Sequence, residues 1–218
     1  MKKRIVIGIV LLISLSSIIS QQKFNTSKFN LTKINTENNF ILSDKEINNL
    51  LLPIYNKNLI FLKNEEIKQA LQASTFIESF KIKKKYPDTL VVEIFEKRPI
   101  AILFDQKKKY FLSDKIDLIE FKDLKDFENL PYVEGNKDDF KKLYKNLEQL
   151  NFPFETVKKY TLFNSMRWDL ETKSNKIIKL PITGYNKSIE NFLDLKKKNN
   201  LKKYKIFDYR IKNQLILK

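Results

Sequence analysis

The sequence predicts an α+β fold, in which a small α/β sandwich and a β-rich domain with two helices follow a single N-terminal transmembrane helix. A basic cluster precedes an apolar run at the start of the chain. Helical and alternating apolar patterns then follow one another up to residue 99, and alternating patterns dominate from residue 100 onwards. We assign residues 1–4 to a cytoplasmic tail, 5–21 to the span, 22–28 to a linker, 29–99 to the first domain and 100–218 to the second domain.

The amino-acid composition excludes most kinds of active site. The 218 residues contain no Cys, no His and 3 Gly, which excludes disulfides, Cys/His zinc sites, His-based triads and glycine-rich phosphate loops. We therefore expect a non-enzymatic protein with no cofactor, no metal and no small-molecule substrate. The net charge is +16, but the basic residues are almost all Lys, which reads bases poorly, so we expect no nucleic acid. The Lys excess either attracts anionic partners or reflects an AT-rich genome.

The N-terminus has the pattern of a membrane segment. Lys2, Lys3 and Arg4 precede the uncharged, mostly apolar residues 5–19. A positive cluster of this kind stays in the cytoplasm, so the bulk of the chain is expected outside it. Ser14 and Ser16 are small enough for signal peptidase, so a cleaved signal peptide is the alternative to an uncleaved anchor.

The first domain is predicted to have the order β-α-β-α-β-β. Ser43 and Glu46 form an S-x-x-E capping box that opens a helix, and Asn64 is expected to cap a second helix over residues 65–74. The Tyr86-Pro87-Asp88-Thr89 turn joins the last two strands into a hairpin. The predicted strands are residues 29–34, 58–62, 80–82 and 90–95.

The second domain is predicted to be mostly strands. A hairpin is expected over residues 100–112, and apolar spacing predicts helices over 137–150 and, after a Ser188 cap, to about residue 198. The remaining strands are predicted at 157–163, 166–171, 176–182, 204–211 and 214–217. Trp168 is expected in the core.

Several motifs carry a family resemblance. Residues 84–101 read Lys-Lys-Tyr-Pro-Asp-Thr-Leu-Val-Val-Glu-Ile-Phe-Glu-Lys-Arg-Pro-Ile-Ala, residues 130–135 read Leu-Pro-Tyr-Val-Glu-Gly, and Asp208 and Arg210 form an Asp-x-Arg motif. This pattern resembles the FtsQ/DivIB family of bacterial cell division proteins, which combine a POTRA domain with a C-terminal β domain. The residues that carry the POTRA motif are Tyr86, Pro87, Glu96, Arg98 and Pro99. The turn at 112–116 departs from the family pattern, because no Gly follows Asp114.

The resemblance implies a bitopic, single-pass scaffold of the divisome in the cell inner membrane. Its bulk would be periplasmic, and it would link FtsB/FtsL-like division proteins at the septum, with further partners on the POTRA domain and membrane lipid at the anchor. The alternative is a POTRA-containing component of envelope protein transport or outer-membrane assembly. A secreted basic protein that binds lipids or polyanions is a third possibility.

The predicted site is the C-terminal sheet edge. Residues 214–217 are largely apolar and end the chain, and a strand at a sheet edge can accept a strand from another protein. The resemblance implies an FtsB-like partner there. The alternatives are an ordinary edge strand protected by Lys212 and Lys218, and a local ion pair between Asp208 and Arg210. The predicted partner-binding residues are Asp208, Tyr209, Arg210, Ile211, Asn213, Leu215 and Leu217.

Overall fold

The computed structural model describes residues 2–17, 26–105, 108–197 and 203–218. The helices in these ranges are α1 (Lys2–Ser17), α2 (Asp44–Leu50), α3 (Asn64–Leu71), α4 (Lys137–Gln149) and α5 (Tyr185–Lys197). The strands are β1 (Lys33–Glu37), β2 (Ile77–Lys85), β3 (Thr89–Glu96), β4 (Pro99–Asp105), β5 (Lys108–Ser113), β6 (Leu118–Glu120), β7 (Tyr132–Glu134), β8 (Val157–Leu162), β9 (Trp168–Thr172), β10 (Ile177–Lys179), β11 (Ile206–Asp208) and β12 (Ile216–Leu217).

The first domain is a three-stranded sheet of order β1-β3-β2 that shares one hydrophobic core with α2 and α3. β3 pairs in parallel with β1 and antiparallel with β2. Alternate residues of β3, Leu90, Val92 and Ile94, are fully buried in this core together with Ile47 and Ile67 of the helices. The predicted capping box of α2 is present, because Ser43 and Glu46 exchange the two capping hydrogen bonds.

The predicted strand at residues 58–62 is wrong, so the observed order of the first domain is β-α-α-β-β. The side chain of Asn58 accepts a hydrogen bond from the Ile60 N–H at 3.0 Å, and its carbonyl accepts one from Leu62 at 2.9 Å. These bonds close a turn, and only a single bridge joins Asn58 to Asn30. The apolar residues predicted as a strand are used to fill the core, since Leu59 and Leu62 are buried. α3 begins at Asn64 itself, after Lys63.

The second domain contains a nine-stranded sheet of order β12-β11-β10-β9-β8-β7-β4-β5-β6. Its core joins Val133 and Ile178 of the sheet to Leu143 of α4 and Ile189 of α5. Trp168 is buried in the same core, as predicted. α5 begins at Tyr185, one turn before the predicted cap. Residue 198, at its predicted end, and residues 106–107, at the hairpin tip, lie outside the described residues.

The β4–β5 hairpin belongs to both cores. Ala101 and Leu103 are buried in the core of the second domain, whereas Ile102 and its partner Phe111 are buried in the core of the first domain. Alternate side chains of a strand point to opposite faces, so one hairpin fills two cores at once. The two domains are therefore packed against each other through this hairpin.

The predicted N-terminal transmembrane helix is wrong. α1 has 16 residues, which corresponds to a length of about 24 Å, against about 30 Å for the hydrocarbon core of a bilayer. Within the described residues, no helix combines the length and the apolar character needed to cross a membrane. Residues 18–21 of the predicted span and residues 22–25 of the predicted linker lie outside the described residues.

Candidate partner-binding edge

The C-terminal strand β12 forms one outer edge of the nine-stranded sheet. It pairs antiparallel with β11, with Phe207 opposite Leu217 and Asp208 opposite Ile216. Lys218 and Ile206 exchange two hydrogen bonds, of 3.1 and 2.9 Å. Since such bonds alternate along an antiparallel pair, the N–H and C=O of Leu217 point away from β11. This edge can therefore pair with a further strand.

Both C-terminal strands are shorter than predicted, since β11 spans Ile206–Asp208 and β12 spans Ile216–Leu217. The N–H of Tyr209 donates to the carbonyl of Lys179 at 2.9 Å, and its hydroxyl donates to Asn191 of α5 at 2.9 Å. Asn213 then adopts a φ of 59° in a turn. Leu215 lies just before β12 and packs, half-buried, on the core of the second domain.

Asp208 and Arg210 form a local ion pair. The Nε of Arg210 lies 2.8 and 3.0 Å from the two carboxylate oxygens, and its Nη2 lies 2.5 Å from Oδ2. The Asp208 side chain is 7% exposed and the Arg210 side chain 41%. The hydrogen bonds from Arg210 hold the pKa of Asp208 below its ordinary value. Arg210 therefore keeps a buried carboxylate charged next to the edge strand.

A polar row crosses the sheet towards this edge, and the sequence analysis missed it. Lys179 of β10 lies opposite Asp169 of β9 on one side and Asp208 of β11 on the other. The Nε of Arg167 lies 3.6 Å from Oδ1 of Asp169, and neither atom has a hydrogen-bond partner among the described residues. Burial raises the pKa of Asp169, while Arg167, Lys179 and Arg210 oppose the rise. Only strand pairing reveals this row, since its members are far apart in sequence.

A groove of about 1010 Å³ lies beside the edge, between residues 181–188 and 209–215. It brings together five predicted site residues, namely Tyr209, Arg210, Ile211, Asn213 and Leu215, whereas Asp208 and Leu217 lie outside its lining. The facing wall includes Ile182, which the sequence analysis did not single out. Ile182 is 57% and Ile211 51% exposed, so an apolar side chain stands on each wall of the groove.

The edge and the groove are basic. Within residues 203–218 there are five basic residues, Lys203, Lys205, Arg210, Lys212 and Lys218, and one acidic residue, Asp208. The single carboxylate is already paired with Arg210. The surface that remains therefore carries net positive charge.

Comparison with known families decides where the chain belongs. The family model described as "POTRA domain, FtsQ-type" matches residues 29–97, and the one described as "Cell division protein FtsQ/DivIB, C-terminal" matches residues 101–210. The chain belongs to the FtsQ/DivIB family. The resemblance drawn from the sequence motifs is thus confirmed, and with it the assignment of the chain to the proteins of cell division.

Individual relatives of this FtsQ/DivIB chain carry the same name. It is 29% identical to the cell division protein FtsQ of Rickettsia typhi over 187 residues, which cover 82% of the chain and 70% of the relative. It is 30% identical to FtsQ of Cellvibrio japonicus over 96 residues, which cover 43% and 29%. Among solved structures, the major extracytoplasmic domain of DivIB from Geobacillus stearothermophilus matches 46% of this chain and 92% of its own, at 12% identity and a TM-score of 0.34.

The five residues of the FtsQ-type POTRA motif lie at two ends of the domain. Tyr86 and Pro87, joined by a cis peptide bond, form the turn before β3, and Tyr86 is 57% exposed. At the other end, Glu96 is the last residue of β3, Arg98 follows it, and Pro99 begins β4. The carboxylate of Glu96 accepts backbone N–H groups of residues 40, 41 and 42, at 2.9, 2.7 and 2.7 Å. The motif residues therefore lie at two separate places in the domain and do not form one site.

Proposed function

We propose that this chain is a non-enzymatic scaffold of the bacterial divisome, which holds FtsB/FtsL-like division proteins at the septum. The mechanism is strand addition to β12. One observation carries the proposal: β12 is an outer strand whose Leu217 backbone groups point away from its neighbour β11. The partner would supply an extended segment, and its side chains would enter the adjacent groove.

The side chains around β12 indicate which residue types the partner would carry. Ile182 and Ile211 offer apolar contacts in the groove, and Lys212 and Lys218 offer positive charge at the edge. An FtsB-like segment with alternating apolar side chains and flanking carboxylates fits this surface. Binding is expected to weaken as salt is added, because exposed charges are screened.

The opposite edge of the same sheet is partly occupied by the first domain, which supports the choice of β12. There, the N–H of Glu120 in β6 points away from β5 and donates to the hydroxyl of Thr75 in the first domain at 2.9 Å. A strand with an outward donor already satisfied is a poorer template for pairing. We therefore expect a partner to add at β12 and not at β6.

Leu217→Pro tests the mechanism. Proline removes the outward N–H of Leu217 without removing a bond to β11. We expect the purified FtsB/FtsL-like complex of the same organism to bind this variant much more weakly, with unchanged circular dichroism. Leu118→Pro is the matched control, since it removes an outward N–H on β6. Equal binding by the wild-type protein and Leu217→Pro would refute strand addition at β12.

Cellular position tests the wider proposal. A fluorescent protein fused to the N-terminus of the full chain is expected to form a band at mid-cell in dividing cells. An even distribution along the cell would contradict a scaffold at the septum. The FtsQ-type POTRA match over residues 29–97 favours the divisome role over the transport alternative.

A further inference from the structure

Three exposed apolar side chains lie together at one end of the first domain. Ile60 is 46%, Phe61 73% and Tyr86 57% exposed. The rings of Tyr86 and Phe29 are in edge-to-face contact, with centroids 6.3 Å apart, and the carbonyl of Phe29 accepts the N–H of Leu59 at 2.7 Å. We call Phe29, Ile60, Phe61 and Tyr86 the apolar tip.

The loop that carries the tip is held in place by its neighbours. Leu59 and Leu62, on either side of Ile60 and Phe61, are buried at 0% and 3% exposure. The ammonium of Lys84 donates to the Leu62 carbonyl at 2.5 Å. Because both flanking leucines are fixed in the core, the two residues between them must face solvent. An exposed apolar pair of this kind lowers solubility, and exposed apolar patches mark binding surfaces.

Positive charge surrounds the tip. The three segments that form it, residues 26–31, 57–63 and 84–88, contain five lysines (Lys28, Lys57, Lys63, Lys84 and Lys85) and one acid, Asp88. Lys57 is paired with Glu66 of α3, so the excess charge rests on the other four lysines. The carboxylate of Asp88 accepts hydrogen bonds from the hydroxyls of Thr32 and Thr89, at 2.6 and 2.9 Å. Aromatic and aliphatic tips ringed by lysines are the combination that binds an anionic bilayer surface, where apolar insertion and lipid charge act together.

The apolar helix α1 precedes this end of the domain in the sequence. The 3-10 turn at Thr26–Phe29 contributes Phe29 to the tip, and eight residues separate it from the end of α1 at Ser17. The apolar side chains of α1 from Ile5 to Ile13 are 54–71% exposed. The two apolar surfaces are thus tethered within a short distance of each other, so one lipid surface can cover both.

We propose that the apolar tip docks on the surface of an anionic lipid bilayer and so orients the first domain against the membrane. This contact is peripheral, and it does not depend on strand addition at β12. The lysines give the initial attraction, and Phe61, Ile60 and Tyr86 enter the headgroup region.

The absence of Cys from the chain allows a direct test in the full-length protein. Phe61→Cys and Phe40→Cys are each labelled with the polarity-sensitive fluorophore NBD. Phe40 is the matched control, because it is 86% exposed but lies beside Glu96 at the opposite end of β3. Vesicles contain either phosphatidylethanolamine with phosphatidylglycerol, or phosphatidylcholine alone.

With the anionic vesicles we expect a several-fold rise and a blue shift of NBD emission at residue 61, together with quenching by a spin-labelled lipid. The probe at residue 40 should change little, and both probes should change little with phosphatidylcholine.

Equal responses at residues 61 and 40 would overturn the proposal, because α1 alone would then account for lipid binding. A response at residue 61 that appears without lipid as protein concentration rises would also overturn it, in favour of a second copy of the chain. Leu217→Pro should leave the response at residue 61 unchanged, which separates this proposal from strand addition.

Discussion

Arg210 neutralises Asp208 two residues before it, through hydrogen bonds from both Nε and Nη2 to the same carboxylate. The backbone N–H of Arg210 is a third donor to this carboxylate, at 3.1 Å. The pair lies at the end of β11, whose last residue is Asp208. The local ion pair anticipated from the Asp-x-Arg motif is therefore present, and it stands next to the proposed binding edge.

Replacing Arg210 should change the titration of Asp208. In Arg210→Ala the pKa of Asp208 is expected to rise from its lowered position, because the carboxylate stays buried while its main hydrogen-bond donor is lost. Arg210→Lys should produce a smaller rise, since an ammonium lacks the two-pronged geometry. Carboxyl-carbon NMR titration of Asp208 measures both variants. An unchanged pKa in Arg210→Ala would show that the pair does not persist in solution.

The ion pair between Glu46 and Lys122 should make stability depend on pH at the acid end. Glu46 at the start of α2 lies 2.6 Å from Lys122, which follows β6, so the pair joins the two domains. The hydrogen bond from Lys122 is the main cause that lowers the pKa of Glu46 from 4.5 to about 2. A carboxylate with a lowered pKa stabilises the folded state above its unfolded pKa, and this contribution is lost as the pH falls from about 4.5 to about 2.

Glu46→Gln isolates this effect, because glutamine keeps the capping geometry and removes the charge. The melting temperature of the variant should lie below that of the wild-type protein at pH 7. The difference should shrink steadily below pH 4.5. A difference that is constant across this range would rule out the charge of Glu46 as its source.

An added methyl group should destabilise the protein at Gly135 and at Gly184 for different physical reasons. A Cβ on Gly135 would lie 2.9 Å from Cβ of Leu162 and 3.2 Å from the Trp168 ring, so Gly135→Ala should lower the free energy of unfolding by about 1–3 kcal/mol through overpacking. Gly184 has open space but a φ of 69°, so Gly184→Ala should cost about 1–2 kcal/mol from backbone strain alone.

Compensating truncation separates the two causes. Leu162→Ala should partly rescue Gly135→Ala and should not rescue Gly184→Ala, since only the former has a steric conflict with Leu162. Urea denaturation measures all five proteins, the two single glycine variants, the two doubles and Leu162→Ala. Strictly additive effects in the Gly135→Ala double would contradict the close approach.

Glu96 should be important for the stability of the POTRA domain. Glu96→Ala would leave the N–H groups of Phe40, Ile41 and Leu42 without their acceptor, which we expect to cost about 2 kcal/mol. Glu96→Gln keeps one acceptor oxygen and should lose less. Thermal unfolding with hydrogen exchange at residues 40–42 checks this, and unchanged exchange in Glu96→Ala would show that the three bonds are not formed.

Local sequence signals predicted much of the secondary structure. Ser43 and Glu46 opened α2 as expected, because a capping box needs only neighbouring residues. The apolar spacing of residues 137–150 likewise predicted α4, observed at Lys137–Gln149. Predictions failed where tertiary contacts decided the outcome. Residues 58–62 have a strand-like composition, but Leu59 and Leu62 turn inwards to fill the core.

The candidate site shows the same division. The Asp-x-Arg motif and the apolar C-terminus drew attention to residues 208–217, since both are visible in a short stretch of chain. The opposite wall of the groove, with Ile182, and the partners of the polar row, Asp169 and Lys179, were not predicted. They come from distant segments, and only the pairing of β9, β10 and β11 places them beside Asp208.

By itself, the sequence determined the α+β class and the position of the motifs, because short-range periodicity, caps and turns carry that information. The family followed from the resemblance of those motifs to known proteins, which the family matches confirm. Only the tertiary structure decided which strand ends the sheet, where Thr75 contacts its other edge and how one hairpin contributes to two cores. It also decided that Ile116 adopts a φ of 61° with its side chain buried in the core of the second domain. These features depend on contacts between residues far apart in sequence, and local sequence patterns do not predict such contacts.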